Sequence, residues 1–256
     1  MIVCRSAAEL ERLARVNALV ARVLVELTAM IVPGVTTAEV DAMAERRLRE
    51  AGAEPAFKGY HGFPATICAS VNEQVVHGIP SPRKLVAGDI ISVDLGAKMD
   101  GFYGDSAVTI PVGDVTPDAV KLLEVTKQSL QEALNVVKAG ARLSDIGAAV
   151  QRHVEANGFS VVREFVGHGI GVTLHEEPQI PNYGTPGRGP RLAEGMVLAI
   201  EPMVNIGQAG VKVLSDGWTA VTKDGSLSAH FEHTVAVTAD GCRVLTRADS
   251  TANAAA

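Results

Sequence analysis

Cysteine, positive charge and long apolar runs are all scarce in this chain, and each scarcity removes a class of protein. Cys4, Cys68 and Cys242 are the only cysteines, odd in number and without metal-type spacing. They support neither a disulfide framework nor a cysteine zinc site, and they suit a reducing compartment. The chain has 23 Lys and Arg against 29 Asp and Glu, a formal charge of −6. Polyphosphate binding rests on Lys and Arg, so direct nucleic-acid readout or an anionic-membrane surface is not expected. No stretch of roughly 20 consecutive apolar residues occurs, and MIVCRSAAELER meets Arg5 and Glu9 before a signal-like segment can develop. A cytoplasmic chain without a membrane partner is expected, and 256 residues at 47% hydrophobic content are ample for one buried core.

What the chain does carry is apolar periodicity with marked ends. Residues 6–31 place Leu10, Leu13, Val20, Leu24, Leu27 and Ile31 on a helical stripe, Ser6 and Glu9 form a capping box, and Pro33-Gly34 ends it. A second helix starts at Thr36 or Thr37 and stops at Gly52. From Phe57 to about Thr109 the texture is strands and loops, including TICASV and a hairpin over 91–110. A third helix follows Thr116-Pro117, and a fourth runs from Ser144 to Gly158. Gly34 and Gly52 recur at Gly140 and Gly158, both 106 residues on, and Val40, Arg46 and Leu48 meet Ile146, Arg152 and Val154. The strand holding Asp94 has a counterpart in MVLAIEPMV, whose Glu201 lies 107 residues later. Two copies of helix, helix and strands, each with a carboxylate in its sheet, predict an α+β domain of pseudo-twofold design. VKVLSDGWTAV reads as a hairpin turning at Asp216-Gly217, and SAHFEHTVAVT as one strand with Glu232 near its start. A single domain over 1–256 is expected, with a frayed tail at 248–256.

The stretch ISVDLGAKMDGFYGDSAVTI sets Asp94 in an apolar strand and Asp105 beyond a turn. A two-residue loop at Asp100-Gly101 pairs Ala107 with Asp94, and a four-residue loop pairs Asp105 with it; either register leaves both aspartates on one face. Two surface aspartates would be the ordinary account of such a pair. Ile90, Ile91, Val93 and Leu95 argue against it by making both faces of the strand apolar, and Glu201 and Glu232 repeat the anomaly. Buried like charges repel and cost several kcal/mol without a partner, so a cation belongs there. In EFVGHGIGVTLHEEP, His168 lies between glycines that allow close backbone approach, and His175 follows. Four carboxylates and an imidazole make a hard, oxygen-rich site for Mn, Fe, Co or Zn, and paired metals of this kind activate water for hydrolysis. Cys68 with His77 is not placed as a nucleophilic dyad, and a small buried hydrophobe is the better account of Cys68.

GYHGFPATICASVNEQVVHGIP, DLGAKMDGFYGDSAVT, GHGIGVTLHEEPQIPNYG, MVLAIEPM and EHTVAVT, in that order, resemble the type I methionine aminopeptidase family of pita-bread metallopeptidases over roughly residues 6–246. The resemblance implies the pita-bread fold, a pseudo-twofold antiparallel sheet flanked by helices. It implies two divalent ions, with Asp94 chelating one, Asp105 and Glu232 bridging both, and His168 with Glu201 completing the other. His77 and His175 would contact the scissile peptide, and Glu201 would double as general base. Tyr60, Phe63, Cys68, His77, Leu174, His175 and Trp218 would line a pocket for methionine. A monovalent cation would sit near Asn72, Gln74 and Ser228, held mostly by backbone oxygens. The implied activity is removal of initiator methionine before a small second residue. The nascent-chain N-terminus is the substrate, with the ribosome as a possible partner and a monomer as the expected state. The chain departs from the family at Phe57, often cysteine, at Leu174, often aromatic, and at His230, commonly Gln. Within that family the short bacterial-type form is expected. A proline-specific peptidase of the same fold usually carries a further N-terminal domain, and a non-catalytic binding module typically loses metal ligands that are intact here.

Overall fold

The structure is a computed structural model and describes residues 2–247; the tail expected to fray lies outside the described residues. Among the described residues there are four α-helices, α1 (Ala7–Met30), α2 (Thr37–Glu50), α3 (Pro117–Val136) and α4 (Leu143–Ala156). The first half adds β1 (Glu54–Pro55), β2 (Ile67–Val71), β3 (Gln74–Val76), β4 (Ile90–Met99) and β5 (Phe102–Pro111). The second half adds β6 (Ser160–Val161), β7 (Gly167–Gly169), β8 (Glu176–Ile180), β9 (Val197–Ile200), β10 (Met203–Asn205), β11 (Val211–Val213), β12 (Ala220–Thr222), β13 (Ser228–His230), β14 (His233–Val237) and β15 (Cys242–Val244). Every ladder is antiparallel. The sheet is divided into four hydrogen-bonded groups.

The helix ends follow from their caps. Ser6 with Glu9, and Thr36 with Glu39, close complete capping boxes, each satisfying two otherwise orphaned N–H groups. Thr116 caps α3, which has Pro117 in its first turn. Helix α4 starts one residue earlier than the sequence suggests, because Asp145 accepts the Arg142 N–H at 2.8 Å and makes Arg142 the cap.

The internal repeat is real. Gly34, Gly52, Gly140 and Gly158 all take positive φ, with open space where a side chain would stand. Gly34 N–H donates to Leu85 O at 2.8 Å and Gly140 N–H to Leu192 O at 2.9 Å. Val40 and Leu48, like their counterparts Ile146 and Val154, are fully buried. Each helix pair thus covers its own half of the sheet with an aliphatic layer.

Two strand assignments need correction. MVLAIEPMV is not one strand but β9 and β10, separated by Glu201-Pro202, and SAHFEHTVAVT is β13 and β14, separated by Phe231-Glu232. Pro202 has no N–H to donate, so no ladder can run through it. Its carbonyl accepts the Phe231 N–H at 3.3 Å, and Glu232 N–H turns instead to Ala107 O at 2.9 Å. The two breaks face each other, and each places a glutamate at a strand end.

Candidate metal centre

In the hairpin β4–β5, Asp94 pairs with Ala107, Gly96 with Asp105 and Met99 with Phe102, so the turn is Asp100-Gly101. That register puts both aspartates on one face. Across to the other half, Ser106 Oγ donates to Glu232 O at 2.7 Å, and Thr234 Oγ1 donates back to Asp105 O at 2.7 Å. These bonds stitch β5 to β14 and bring Glu232 beside Asp105. Beneath them, Asn17 of α1 is fully buried and accepts the Asp105 N–H at 3.3 Å.

His168 sits in β7, where neither flanking residue could carry a side chain: a Cβ at Gly167 would collide with Ala199 O, and one at Gly169 with Glu177 O. Its Nδ1–H donates to Gly169 O at 2.9 Å, since a carbonyl can only accept. The lone pair is therefore on Nε2, which faces Glu201 Oε1 at 3.6 Å and Asp105 Oδ2 at 4.0 Å. Burial, reinforced by His175, lowers its pKa to about 3, so the ring is neutral near pH 7. Ligand atoms of Asp105, His168 and Glu232 all lie within 4.8 Å of one another, and the three residues are buried.

Electrostatics make the same point. Burial raises the pKa of Asp94 to about 7. Burial first, then neighbouring carboxylates, push Asp105, Glu201 and Glu232 well above the ordinary range. Among the described residues, Asp94 Oδ1, Asp105 Oδ1 and Glu232 Oε1 are buried without any hydrogen-bond partner. Unpartnered oxygens of three clustered acids with a neutral imidazole suit divalent cations, which supply the missing charge and the missing partners at once.

All five of these residues open into one cavity of about 190 Å³, together with His77, His175 and an apolar wall of Phe57, Tyr60, Phe63, Cys68, Leu174 and Trp218. Phe63 and Trp218 meet edge to face, with ring centroids 5.2 Å apart. His175 Nδ1 bonds Tyr60 Oη at 2.8 Å. Burial holds His77 at about 4 and lowers His175, leaving both neutral near pH 7. Cys68 is buried and its thiol is pushed well up, mainly by burial, as an inert packing group requires. A larger space of about 680 Å³ between α1 and α3 touches Glu232 and His233 but none of the other four acid and imidazole residues.

Asn72, Gln74 and Ser228 lie apart from this cavity. Asn72 Oδ1 accepts the Ile90 N–H at 3.0 Å, Gln74 Oε1 the Val71 N–H at 2.8 Å, and Asn72 O the Ser228 N–H at 2.9 Å. Two further residues adjoin the centre: His230, noted above as a departure from the resembled family, and Phe165, which no sequence signal marked. Phe165 stacks edge-on to His77 at 5.4 Å, and His230, buried with Nε2 unpartnered among the described residues, faces Glu201 Oε2 at 3.6 Å.

Comparison with known proteins places this geometry. The sequence profile of metallopeptidase family M24 matches residues 11–239. The methionine aminopeptidase 1 of Bacillus subtilis is 56% identical over 247 residues, 96% of this chain and 100% of the relative. The crystal structure of methionine aminopeptidase from Thermotoga maritima superposes with a TM-score of 0.95 at 48% identity, covering 96% of this chain and 100% of that one. A prolidase from Pyrococcus furiosus has a TM-score of 0.79 at 23% identity, covering 96% of this chain and 65% of that one, a likeness of fold alone.

Proposed function

The chain belongs to metallopeptidase family M24 and, within it, to the type I methionine aminopeptidases, and on that premise we propose that one catalytic domain removes N-terminal methionine from peptides with a small second residue. Asp94 would hold one divalent ion, Asp105 and Glu232 both ions, and His168 with Glu201 the other. Two divalent ions held there would polarise the scissile carbonyl and make water nucleophilic near neutral pH.

The protein's own groups do the rest. The apolar wall takes the unbranched methionine side chain and excludes water around it. At about 190 Å³ the cavity is smaller than the roughly 300–1,000 Å³ of drug-sized ligand sites, so it suits one side chain. Neutral His77 and His175 hydrogen-bond the scissile peptide and the tetrahedral intermediate. Glu201 takes the proton of the attacking water on its carboxylate and delivers it to the leaving amine. A monovalent cation near Asn72, Gln74 and Ser228 would rely on main-chain oxygens, because the side-chain oxygens of Asn72 and Gln74 already accept hydrogen bonds.

The observation that carries this reading is the shared cavity, in which unpartnered acid oxygens and neutral histidines adjoin an apolar wall. Released methionine, measured from Met-Ala-Ser with Co(II) or Mn(II), is the test. No methionine with any divalent metal would sink the proposal, and cleavage of Xaa-Pro dipeptides instead would favour the prolidase-like alternative.

A further inference from the structure

Arg5 precedes the first helix and lies far in sequence from every residue of the centre, yet its side chain is only 5% exposed. Two loops are shaped around it. Arg5 N–H donates to Gly195 O at 2.7 Å, ahead of β9. A Cβ at Gly195 would lie 2.7 Å from Arg5 O, and one at Gly171 would collide with the guanidinium. The guanidinium bonds Glu176 Oε2, whose side chain is 13% exposed. The other oxygen of that carboxylate accepts the N–H groups of Val172 at 2.8 Å and Thr173 at 3.1 Å. A second acid, Glu9, stands 3.8 Å from the guanidinium, but at 37% exposure it is a weak partner.

We propose that Arg5 is a positioning residue for the loop that carries Leu174 and His175, acting through the carboxylate of Glu176. The proposal rests on the role given to His175 above. One carboxylate is both the partner of a buried cation and the acceptor for two loop amides, so the loop keeps its shape only while that carboxylate stays inside. Without Arg5 the carboxylate is left largely buried and uncompensated. It then swings toward water beside Val172, itself 51% exposed, and releases the amides. The residues displaced are the ones that matter: Leu174 is part of the pocket wall, and the His175 ring lies 4.3 Å from that of His168. A polar tether through Tyr60 fixes His175 on its other side.

The test uses the metal-loaded full-length chain at 25 °C. Arg5→Met is expected to lower kcat on Met-Ala-Ser about tenfold while KM changes little, below the ~100-fold that a 1 Å misplacement can cost. Arg5→Lys should restore part of that loss by returning the charge. Ring-nitrogen NMR signals of His175 should shift in Arg5→Met, while those of His153 on α4 stay in place. Unchanged kcat with unshifted His175 signals would overturn the proposal. Should Arg5→Met fail to fold, Glu176→Gln takes its place, since it breaks the ion pair yet keeps an acceptor for the amides; a smaller kcat loss with a His175 shift supports the clamp, and neither change refutes it. A wild-type chain that releases no methionine refutes the functional reading, and the His175 signals still decide the clamp.

Discussion

Asp94 has one oxygen buried without a partner among the described residues, and three further carboxylates share its cavity. Metal binding and the metal-free fold therefore ask opposite things of this residue. On the assignment proposed for Asp94, Asp94→Asn removes a ligand, so turnover of Met-Ala-Ser should fall at least ~100-fold, beyond what loss of an outer partner costs. The same change removes charge from a crowded cluster, so the chelated protein near pH 8 should melt about 2–4 °C higher for each kcal/mol of repulsion relieved. Activity and thermal unfolding on one variant check both signs; retained activity with a lowered melting temperature would break the assignment. At this scale much was legible, because an acid in an apolar run and a histidine between glycines are local anomalies. The contact of His230 with Glu201 and the Arg5–Glu176 clamp were not: His230 stood out only as a departure from the resembled family beside Glu232, and nothing near Arg5 points 171 residues along the chain to Glu176.

Among elements, β7 shows how a short strand can be fixed by what its neighbours leave no room for. Gly167→Ala would press a methyl group into Ala199 O and within 3.3 Å of Ile180 Cβ. Overpacking of this kind costs about 1–3 kcal/mol, a drop of about 2–4 °C per kcal/mol, and because His168 is the next residue, metal affinity should fall with it. Gly241→Ala is the control, because a Cβ there meets nothing within 4 Å and should change stability by less than about 0.5 kcal/mol. Calorimetric melting and metal titration of the two variants separate the outcomes, and equal effects would remove the steric argument. The starts of helices α1 to α3 were legible to within a residue because their caps are written in adjacent side chains. The break at Glu201-Pro202 was written in the missing N–H of Pro202, although the strand was read across it, whereas nothing in SAHFEHT marks the break at Phe231-Glu232 between β13 and β14. What parts those two strands is a bond made elsewhere, Glu232 N–H to Ala107 O, between segments that the sequence holds far apart.

Across the whole molecule, the two halves repeat a helix-pair frame that glycine spacing alone reveals, and the seam between their sheets joins the two aspartates of the first half to the two glutamates of the second in one buried cluster. Burial raises Asp94, Asp105, Glu201 and Glu232 together, Asp94 to about 7. The metal-free fold therefore binds more protons than the unfolded chain, so its stability falls as pH rises. The contribution of these groups is complete below the ordinary carboxylate pKa of about 4 and is lost progressively through neutrality. If the four acids are the ligands proposed above, divalent metal replaces those protons, its affinity should grow with pH and its binding should release protons into the buffer. At a free metal concentration about 100 times Kd the ion adds about 2.7 kcal/mol, and lower occupancy adds less. Melting temperatures with and without Mn(II) should then diverge from near pH 6 to near pH 8, the chelated protein falling while the loaded one holds or rises. Calorimetric titration in two buffers of different ionisation enthalpy counts the protons released. A metal-induced shift of the same size at both pH values, with no proton release, would mean that these four acids are not the ligands, whatever the peptide assay shows.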